Sequence, residues 1–247
     1  MRATLRPVIT LLGLLVLWWI VARFAGIPNF MLPGPAEVAR ALTAQSGFLF
    51  QNMLATLTEI VLGLIFGTLF GAALALAMVF SRGLQRWILP LLLLSQAVPV
   101  FALAPLLVLW LGFGLASKVL MAILVIFFPV TAAFYDGLRR TEPGWLDLAH
   151  TMGATRLSVL LRVRLMAALP AFGAGLRIAA AVAPIGAILG EWAGASQGLG
   201  YVMLNANARM QTDLMFAALV LLAALTILLW VAVDVLLKRL LHWAPDG

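Results

Sequence analysis

Apolar residues run along this chain in long stretches, separated by short segments that contain charges, glycine or proline. A helix needs roughly 20 apolar residues to cross the hydrocarbon core of a bilayer, and the stretches have about that length. The pattern therefore predicts an all-α integral membrane protein with about six transmembrane helices. The spans are predicted near residues 7–25, 53–80, 88–112, 117–135, 165–189 and 214–237.

The composition supports a membrane protein. Hydrophobic residues make up 64% of the 247 residues and charged residues only 10%, whereas a soluble domain has about 25% charged residues. So few charges could not cover the surface of a soluble globule. The spans leave no room for a large soluble domain, so we predict one transmembrane domain over residues 1–247. Cysteine is absent from the sequence, which excludes disulfides and thiolate metal sites.

The basic residues predict the orientation. Arg2 and Arg6 precede the first apolar run and no small-residue cleavage site follows it, so we predict an uncleaved first helix with its N-terminus inside. Cytoplasmic loops carry an excess of Lys and Arg, and N-in, C-in places 11 of the 16 basic residues inside: Arg2, Arg6, Arg82, Arg86, Arg139, Arg140, Arg156, Arg162, Arg164, Lys238 and Arg239. We attribute the net charge of +7 to these loops and expect lipid contact, with no nucleic-acid partner.

Small residues and prolines predict how the helices pack. Gly63, Gly67 and Gly71 repeat every four residues, a pattern that lets helix backbones approach closely, either within one chain or across a dimer. Ala179 and Ala183 have the same spacing. Prolines interrupt the third span at Pro90, Pro99 and Pro105 and the fifth at Pro184. Such kinks suit a bundle that lines a pathway, or are tolerated in a static bundle.

Four ionisable residues fall within or beside the spans. Arg177 lies near mid-depth and needs a partner, because an unpaired charge there is costly. Asp234 is four residues before Lys238, a spacing that favours an ion pair on one helix. Glu59 and Glu191 lie near the outer ends of the second and fifth spans. They either face an outer vestibule or are solvated at the interface.

Two connecting segments have structure of their own. After Pro33 and Pro35, residues 36–42 predict a short interfacial helix. The longest cytoplasmic segment, 136–164, predicts two short helices within 141–163, with Thr141 capping the first and Gly153 ending it. The first helix has an apolar face, formed by Trp145, Leu148, Ala149 and Met152. An amphipathic helix there is a docking site for a partner or lies on the membrane.

This cytoplasmic segment resembles the loop that marks the permease subunits of bacterial ABC importers. Asp147-Leu148-Ala149 stands in place of the family's Glu-Ala-Ala, and Gly153-Ala154 follows after three residues. Val163-Arg164-Leu165-Met166 comes at the family's spacing, with Pro170 slightly beyond. The resemblance implies that residues 145–153 form the coupling helix, which is seated in a groove of the ATPase. Its implied ATPase-coupling residues are Trp145, Asp147, Leu148, Ala149, Met152, Gly153 and Ala154.

The rest of the chain is similar to one branch of that family. Residues 97–106 with Trp110-Leu111-Gly112 look like the third span of nitrate, sulfonate and taurine permeases. Gln96 and residues 190–195 look most like permeases for hydroxymethylpyrimidine, a thiamin precursor. The resemblance implies a type I ABC importer permease fold in the bacterial inner membrane. It also implies two ATPase subunits that hold ATP and Mg, a periplasmic or lipid-anchored solute-binding protein, and a second permease copy in a homodimer.

The expected function is ATP-driven import of a thiamin pyrimidine precursor or a similar heterocycle, without catalysis or a cofactor in this chain. Sulfonate, taurine or nitrate are the alternative solutes, and Arg177 is the only candidate cation within the spans for such anions. The residues expected to line or gate the pathway are Glu59, Gln96, Phe101, Glu191 and Trp192. A self-sufficient secondary transporter is disfavoured because no internal repeat is visible. A membrane enzyme is disfavoured because no catalytic motif occurs and the acidic residues are scattered.

Overall fold

The computed structural model describes residues 2–244, including the side chains of residues 9, 10 and 12–244. All regular structure in this range is helical, which confirms the all-α prediction. The helices are α1 Arg2–Phe24, α2 Pro35–Ala44, α3 Ser46–Phe80, α4 Arg82–Ala97, α5 Val100–Leu111, α6 Leu115–Arg139, α7 Pro143–Thr151, α8 Arg156–Ser158, a π-helical segment Val159–Arg164, α9 Leu165–Gly194, α10 Leu199–Ala208 and α11 Thr212–Leu240.

Within residues 2–244, four continuous helical stretches are long and apolar enough to cross a membrane. They are α3, α6, the stretch Arg156–Gly194 that contains α9, and α11. The apolar part of α1 among the described side chains, Leu12–Phe24, is shorter than a span. The first predicted span, near 7–25, reaches into residues 7, 8 and 11, whose side chains lie outside the described part, and it stays a prediction.

The third predicted span, near 88–112, is not one straight helix. Helices α4 and α5 meet at a bend of 100° and would count as a fifth span only if taken together as one broken crossing. The bend falls at Val98 and Pro99, which have extended ψ values of 122° and 110°. Proline disfavours the α conformation at the residue before it and donates no backbone hydrogen bond. The local chemistry of Pro99 therefore ends α4, whereas Pro90 and Pro105 remain inside their helices.

The centre of the fold is α6, which packs between α3 and α9. The glycines of α3 make this possible, because a Cβ at Gly67 would lie 2.7 Å from the Ile126 side chain and one at Gly71 the same distance from the Phe127 carbonyl oxygen. Ala179 and Ala183 of α9 are buried in the same core. These small residues therefore pack helices of the same chain, which was one of the two predicted alternatives.

Two short helices lie at the end of the bundle opposite α7, the end predicted to be external. Helix α2 confirms the short helix predicted at 36–42, whose interfacial position stays a prediction, and Gly34 N–H donates to Glu37 Oε2 at its start, at 3.0 Å. Helix α10 was not predicted, because the segment 190–213 in which it lies is rich in glycine and asparagine. A common apolar core buries Val38 of α2 with Leu199 and Val202 of α10. Both helices are thus part of the packed structure.

Candidate functional site

The cytoplasmic segment between α6 and α9 contains the predicted coupling helix. Helix α7 begins one residue later than predicted, because Pro143 takes the first helical position and makes Glu142 the N-cap. The Thr141 hydroxyl donates instead to the Leu138 carbonyl, at 3.2 Å. The prediction that Thr141 caps the first loop helix is therefore wrong: Thr141 closes the end of α6.

Gly153 ends this segment's first helical part, as the sequence predicted. It has φ of +74°, a conformation that side chains with a Cβ rarely adopt. Its N–H donates to the His150 carbonyl, and the next N–H, that of Ala154, donates to the Ala149 carbonyl at 3.0 Å. The left-handed glycine thus satisfies the last carbonyls of the helix and reverses the chain.

The outer face of α7 is apolar and uncovered within the described chain. Trp145 is 52% exposed, Leu148 61% and Met152 78%. Asp147 and Gly153 are also exposed, and Ala149 and Ala154 are half-buried. An apolar patch beside a membrane is stable only when lipid or another protein covers it. The three residues of this patch, Trp145, Leu148 and Met152, are among the seven to which the family resemblance assigns ATPase coupling.

The second predicted loop helix is not separate from the fifth span. Helix α8 continues through the π-helical segment into α9 without a break, so the helix runs from Arg156 to Gly194. The Thr155 hydroxyl caps its start by accepting from Ser158 N–H at 3.3 Å. Helix α7 is therefore attached on one side to α6 by residues 140–142 and on the other to the continuous α8–α9 helix.

A buried ion pair joins α3 and α6 near the predicted external side. Lys118 Nζ lies 2.7 Å from Glu59 Oε1, with the side chains only 8% and 1% exposed. The expectation that Glu59 is solvated or faces a vestibule is wrong for this conformation, because α6 covers it. The sequence analysis missed Lys118 as the partner. Its position at the start of an apolar run was the available signal.

A second buried network is centred on Glu191, at the end of α9. Its carboxylate accepts from the Thr56 hydroxyl at 2.6 Å and from the backbone N–H groups of Gly200 and Tyr201 at 2.5 and 3.3 Å. Thr56 Oγ1 in turn accepts from Leu199 N–H. Glu191 is 1% exposed, so the vestibule and interfacial-solvation expectations are wrong for it too. The carboxylate is retained in the interior because it holds the N-terminus of α10.

Arg177, predicted near mid-depth of its span, forms an ion pair with a residue of another helix. Its Nε lies 2.7 Å from Asp234 Oδ1, and Lys238 Nζ lies 2.8 Å from Asp234 Oδ2. The predicted pair between Asp234 and Lys238 is confirmed, and Arg177 joins it. The carboxylate therefore links α9 to α11 and neutralises Arg177.

The remaining predicted pathway residues lie apart from these networks. Gln96 is exposed at the end of α4 and donates to the Ser95 hydroxyl. Phe101, in the first turn of α5, is 64% exposed. Trp192 lies beside an apolar cleft of about 400 Å³ between α9 and α11. Of the five residues, Glu59 and Glu191 lie beside each other, whereas Gln96, Phe101 and Trp192 lie apart from them, and the role of all five in the pathway stays a prediction.

The described residues contain no group of three or more histidine or acidic side chains that could hold a metal ion. The polar clusters of the bundle are ion pairs and a helix cap: Glu59 and Asp234 are paired with cations, whereas Glu191 is held by hydroxyl and backbone donors.

Comparison with known proteins agrees with this description. The sequence model of one family, described as binding-protein-dependent transport system inner membrane component, matches residues 63–242. A probable ABC transporter permease protein of Haemophilus influenzae is 53% identical, over 95% of this chain and 96% of that protein. The formylaminopyrimidine transport permease protein of Halalkalibacterium halodurans is 39% identical, over 97% and 96%. The taurine transport system permease protein of Escherichia coli is 34% identical, over 95% and 88%.

Among solved structures, one of an inward-facing methionine ABC transporter is similar in fold. The TM-score is 0.69 at 19% sequence identity, and the match covers 79% of this chain and 97% of that chain. At this identity the likeness concerns the arrangement of helices. It confirms the type I importer permease fold that the sequence resemblance implied.

Proposed function

Because this chain belongs to the family of binding-protein-dependent transport system inner membrane components, we propose that it forms the pathway by which an ABC importer carries a thiamin-precursor pyrimidine into the cytoplasm. The chain is the non-catalytic permease subunit, a multi-pass protein of the bacterial inner membrane. ATP hydrolysis takes place on a separate ATPase subunit, and a solute-binding protein delivers the solute. Two copies each of permease and ATPase complete the proposed machine.

The charges inside the bundle support a neutral heterocycle as solute. Arg177, the cation expected within the spans, and Lys118, in the first turn of α6, each hold a carboxylate at 2.7 Å. Nitrate and simple sulfonates are anions, and taurine is a zwitterion that carries an anionic sulfonate group; an anionic group deep in a membrane needs an unpaired cation or several hydrogen-bond donors. A neutral pyrimidine needs no cation. The 39% identity to a formylaminopyrimidine permease over almost the whole chain is the observation that carries this choice.

The connections of α7 support its proposed role in coupling. The three residues 140–142 join it to α6, and the turn at Gly153 joins it to the α8–α9 helix. Helices α6 and α9 pack against each other along the core. When the ATPases close around ATP, movement of α7 is therefore passed to both central helices. In this mechanism the two helices tilt together and the pathway changes between outward and inward access.

Uptake by the reconstituted complex tests the solute. Proteoliposomes that contain this permease with its ATPase and solute-binding protein are given labelled formylaminopyrimidine or labelled taurine. We expect ATP-dependent accumulation of the pyrimidine and none of taurine. Accumulation of taurine alone would favour the alternative solute class, to which the 34% identical relative points. Accumulation without the ATPase would contradict the importer mechanism.

A glycine variant tests the coupling role. Gly153→Val places a branched side chain at φ of +74°, a conformation that costs an L-residue roughly 1–2 kcal/mol. We expect loss of ATPase co-purification and of uptake, with normal membrane insertion. Gly144→Ala is the matched control, because Gly144 lies in α7, the helix that Gly153 follows, and an added Cβ there would meet only Glu142 Oε1, at 4.0 Å. Normal uptake by Gly153→Val would contradict coupling through α7.

A further inference from the structure

The π-helical segment Val159–Arg164 interrupts the α-helical connection between α7 and the bundle. At its end the Leu165 N–H donates to the Leu160 carbonyl, five positions back, whereas an α-helical N–H donates to the carbonyl four positions back. A π-helical turn therefore holds an additional residue. Regular α-helix lies on both sides of the segment, with α8 before it and α9 after it. The helix from Arg156 to Gly194 thus contains a residue that a continuous α-helix would not need.

Beyond the π-helical segment, α9 is packed tightly against α6. A Cβ at Gly137, near the cytoplasmic end of α6, would lie 2.7 Å from the Ala171 side chain of α9. Near the other end of the pair, a Cβ at Gly186 of α9 would lie 2.7 Å from the Ala122 backbone of α6. Helices in such close contact cannot slide or turn against each other without collision, because packed interiors yield little. Helices α6 and α9 therefore form one rigid unit.

Helix α7 is attached to this rigid unit at both of its ends. At its start, residues 140–142 connect it to α6, and Thr141 among them is buried and donates to the Leu138 carbonyl. This short link can pivot, but it cannot lengthen appreciably. A pivot there moves the far end of α7, at Gly153, relative to α9. The displacement must then be absorbed between Gly153 and the packed part of α9, which is where the π-helical segment lies.

The side chains of the π-helical segment hold it in place by apolar contact. Val159 is 5% exposed, and Leu160 packs against the core that contains Leu138 and Ala168. On the opposite side, Leu161 is 47% exposed. Apolar contact has no preferred direction, so the segment can change its register without leaving a buried side-chain hydrogen bond unmade. The backbone N–H groups find new carbonyl partners within the same helix.

We propose that the π-helical segment is a register joint, whose additional residue shifts along the helix when α7 moves, so that α7 and α8 turn relative to the rigid unit of α6 and α9. One residue of α-helix turns the chain by about 100° and advances it by about 1.5 Å. A shift of the register by one position therefore rotates the start of α8 by about a quarter turn without breaking the helix. Register shifts of helices are among the movements that switch proteins between conformations. The inference rests on the proposed function, which supplies the force on α7.

Deletion of Leu161 in the reconstituted complex tests the register joint. The deletion removes the additional residue, so the remaining chain fits a continuous α-helix and the helices on both sides keep their faces. We expect the variant to insert into the membrane and to co-purify with the ATPase subunits, but to lose uptake. Leu161→Ala is the matched control and should transport as the wild type does, because it keeps the additional residue. Deletion of Ile178, which is exposed in regular α9, should prevent assembly, because it turns all later residues of α9 by about 100°.

Distances between spin labels test the movement itself. The sequence contains no cysteine, so labels can be attached to introduced cysteines, in complexes that have one labelled permease copy and cysteine-free partner subunits. His150→Cys with Ile178→Cys measures α7 against α9, and Leu115→Cys with Ile178→Cys measures α6 against α9; all three positions are exposed. When a non-hydrolysable ATP analogue is added, we expect the first distance to change and the second to stay constant. In the Leu161 deletion both distances should stay constant.

The outcomes separate the register joint from the function on which it rests. Normal uptake by the Leu161 deletion overturns the joint, and so does failure of that variant to assemble, because no residue is then spare. Loss of uptake in Leu161→Ala also overturns it, because the side chain rather than the register then matters. A constant distance between α7 and α9 in a wild-type complex that transports overturns it as well, because α7 then moves with the rigid unit. A wild-type complex that neither hydrolyses ATP nor transports overturns the proposed function instead.

Discussion

Removal of Lys118 should be among the most damaging single substitutions in the bundle. At an effective dielectric constant of about 20, two charges 2.7 Å apart attract by about 6 kcal/mol. Desolvating each ion costs several kcal/mol, so the intact pair contributes little net stability. Lys118→Met removes the attraction but leaves the Glu59 carboxylate buried, and Glu59 Oε2 already has no hydrogen-bond partner in the described structure. We expect a loss of about 3–5 kcal/mol in the free energy of unfolding.

The double variant Glu59→Met with Lys118→Met separates charge burial from packing. Because it removes both desolvation costs with the attraction, we expect its stability within about 1 kcal/mol of the wild type. The assay is SDS-induced unfolding in mixed micelles, followed by circular dichroism. Arg140→Met is the control, because the Arg140–Asp136 pair is exposed, at 79% and 54%, and is worth less than about 1 kcal/mol. A cost for Lys118→Met as small as that of Arg140→Met, or a double variant as unstable as the single one, would refute this reasoning.

Two further predictions use the same unfolding assay. Gly71→Ala should lower the free energy of unfolding by about 1–3 kcal/mol through overpacking, because its Cβ would lie 2.7 Å from the Phe127 carbonyl oxygen. Gly47→Ala in the same helix is the control and should not destabilise, because its Cβ would meet nothing within 4 Å. The reverse order of stabilities would show that α3 and α6 are not packed this closely. Asp234→Asn should lower the unfolding midpoint more than Lys238→Gln, because Asp234 holds cations of two helices; equal shifts would mean that the contact with α9 contributes nothing.

Features set by neighbouring residues could be predicted from the sequence. The apolar runs located α3, α6, α9 and α11 because a span needs a fixed length of apolar chain. The ion pair between Asp234 and Lys238 followed from helical spacing. The break at Gly153 followed from the conformations that glycine adopts. In each case the cause lies within a few residues along the chain.

The candidate functional residues could be predicted only in part. The segment proposed for coupling could be picked out by its resemblance to the family, because its pattern is contiguous, from Trp145 to Ala154. The error at Thr141 was a shift of one residue: Glu142, which directly precedes the proline at the first position of α7, is the N-cap. Helix α10 was missed because it lies in a segment rich in glycine and asparagine, 190–213, and buried side chains of two other helices cap its start. Tertiary contacts of this kind override local propensity.

The sequence by itself determined that this chain is a bundle of membrane helices, because hydrophobic length acts without knowledge of the fold. Only the tertiary structure decided where the charges of the spans go. Glu59 and Lys118 are separated by 59 positions, and Thr56 and Glu191 by 135. A buried charge in a bilayer must find a partner, but which partner is near depends on how α3, α6 and α9 pack. The same packing converts two carboxylates expected in a vestibule into an ion pair and a helix cap.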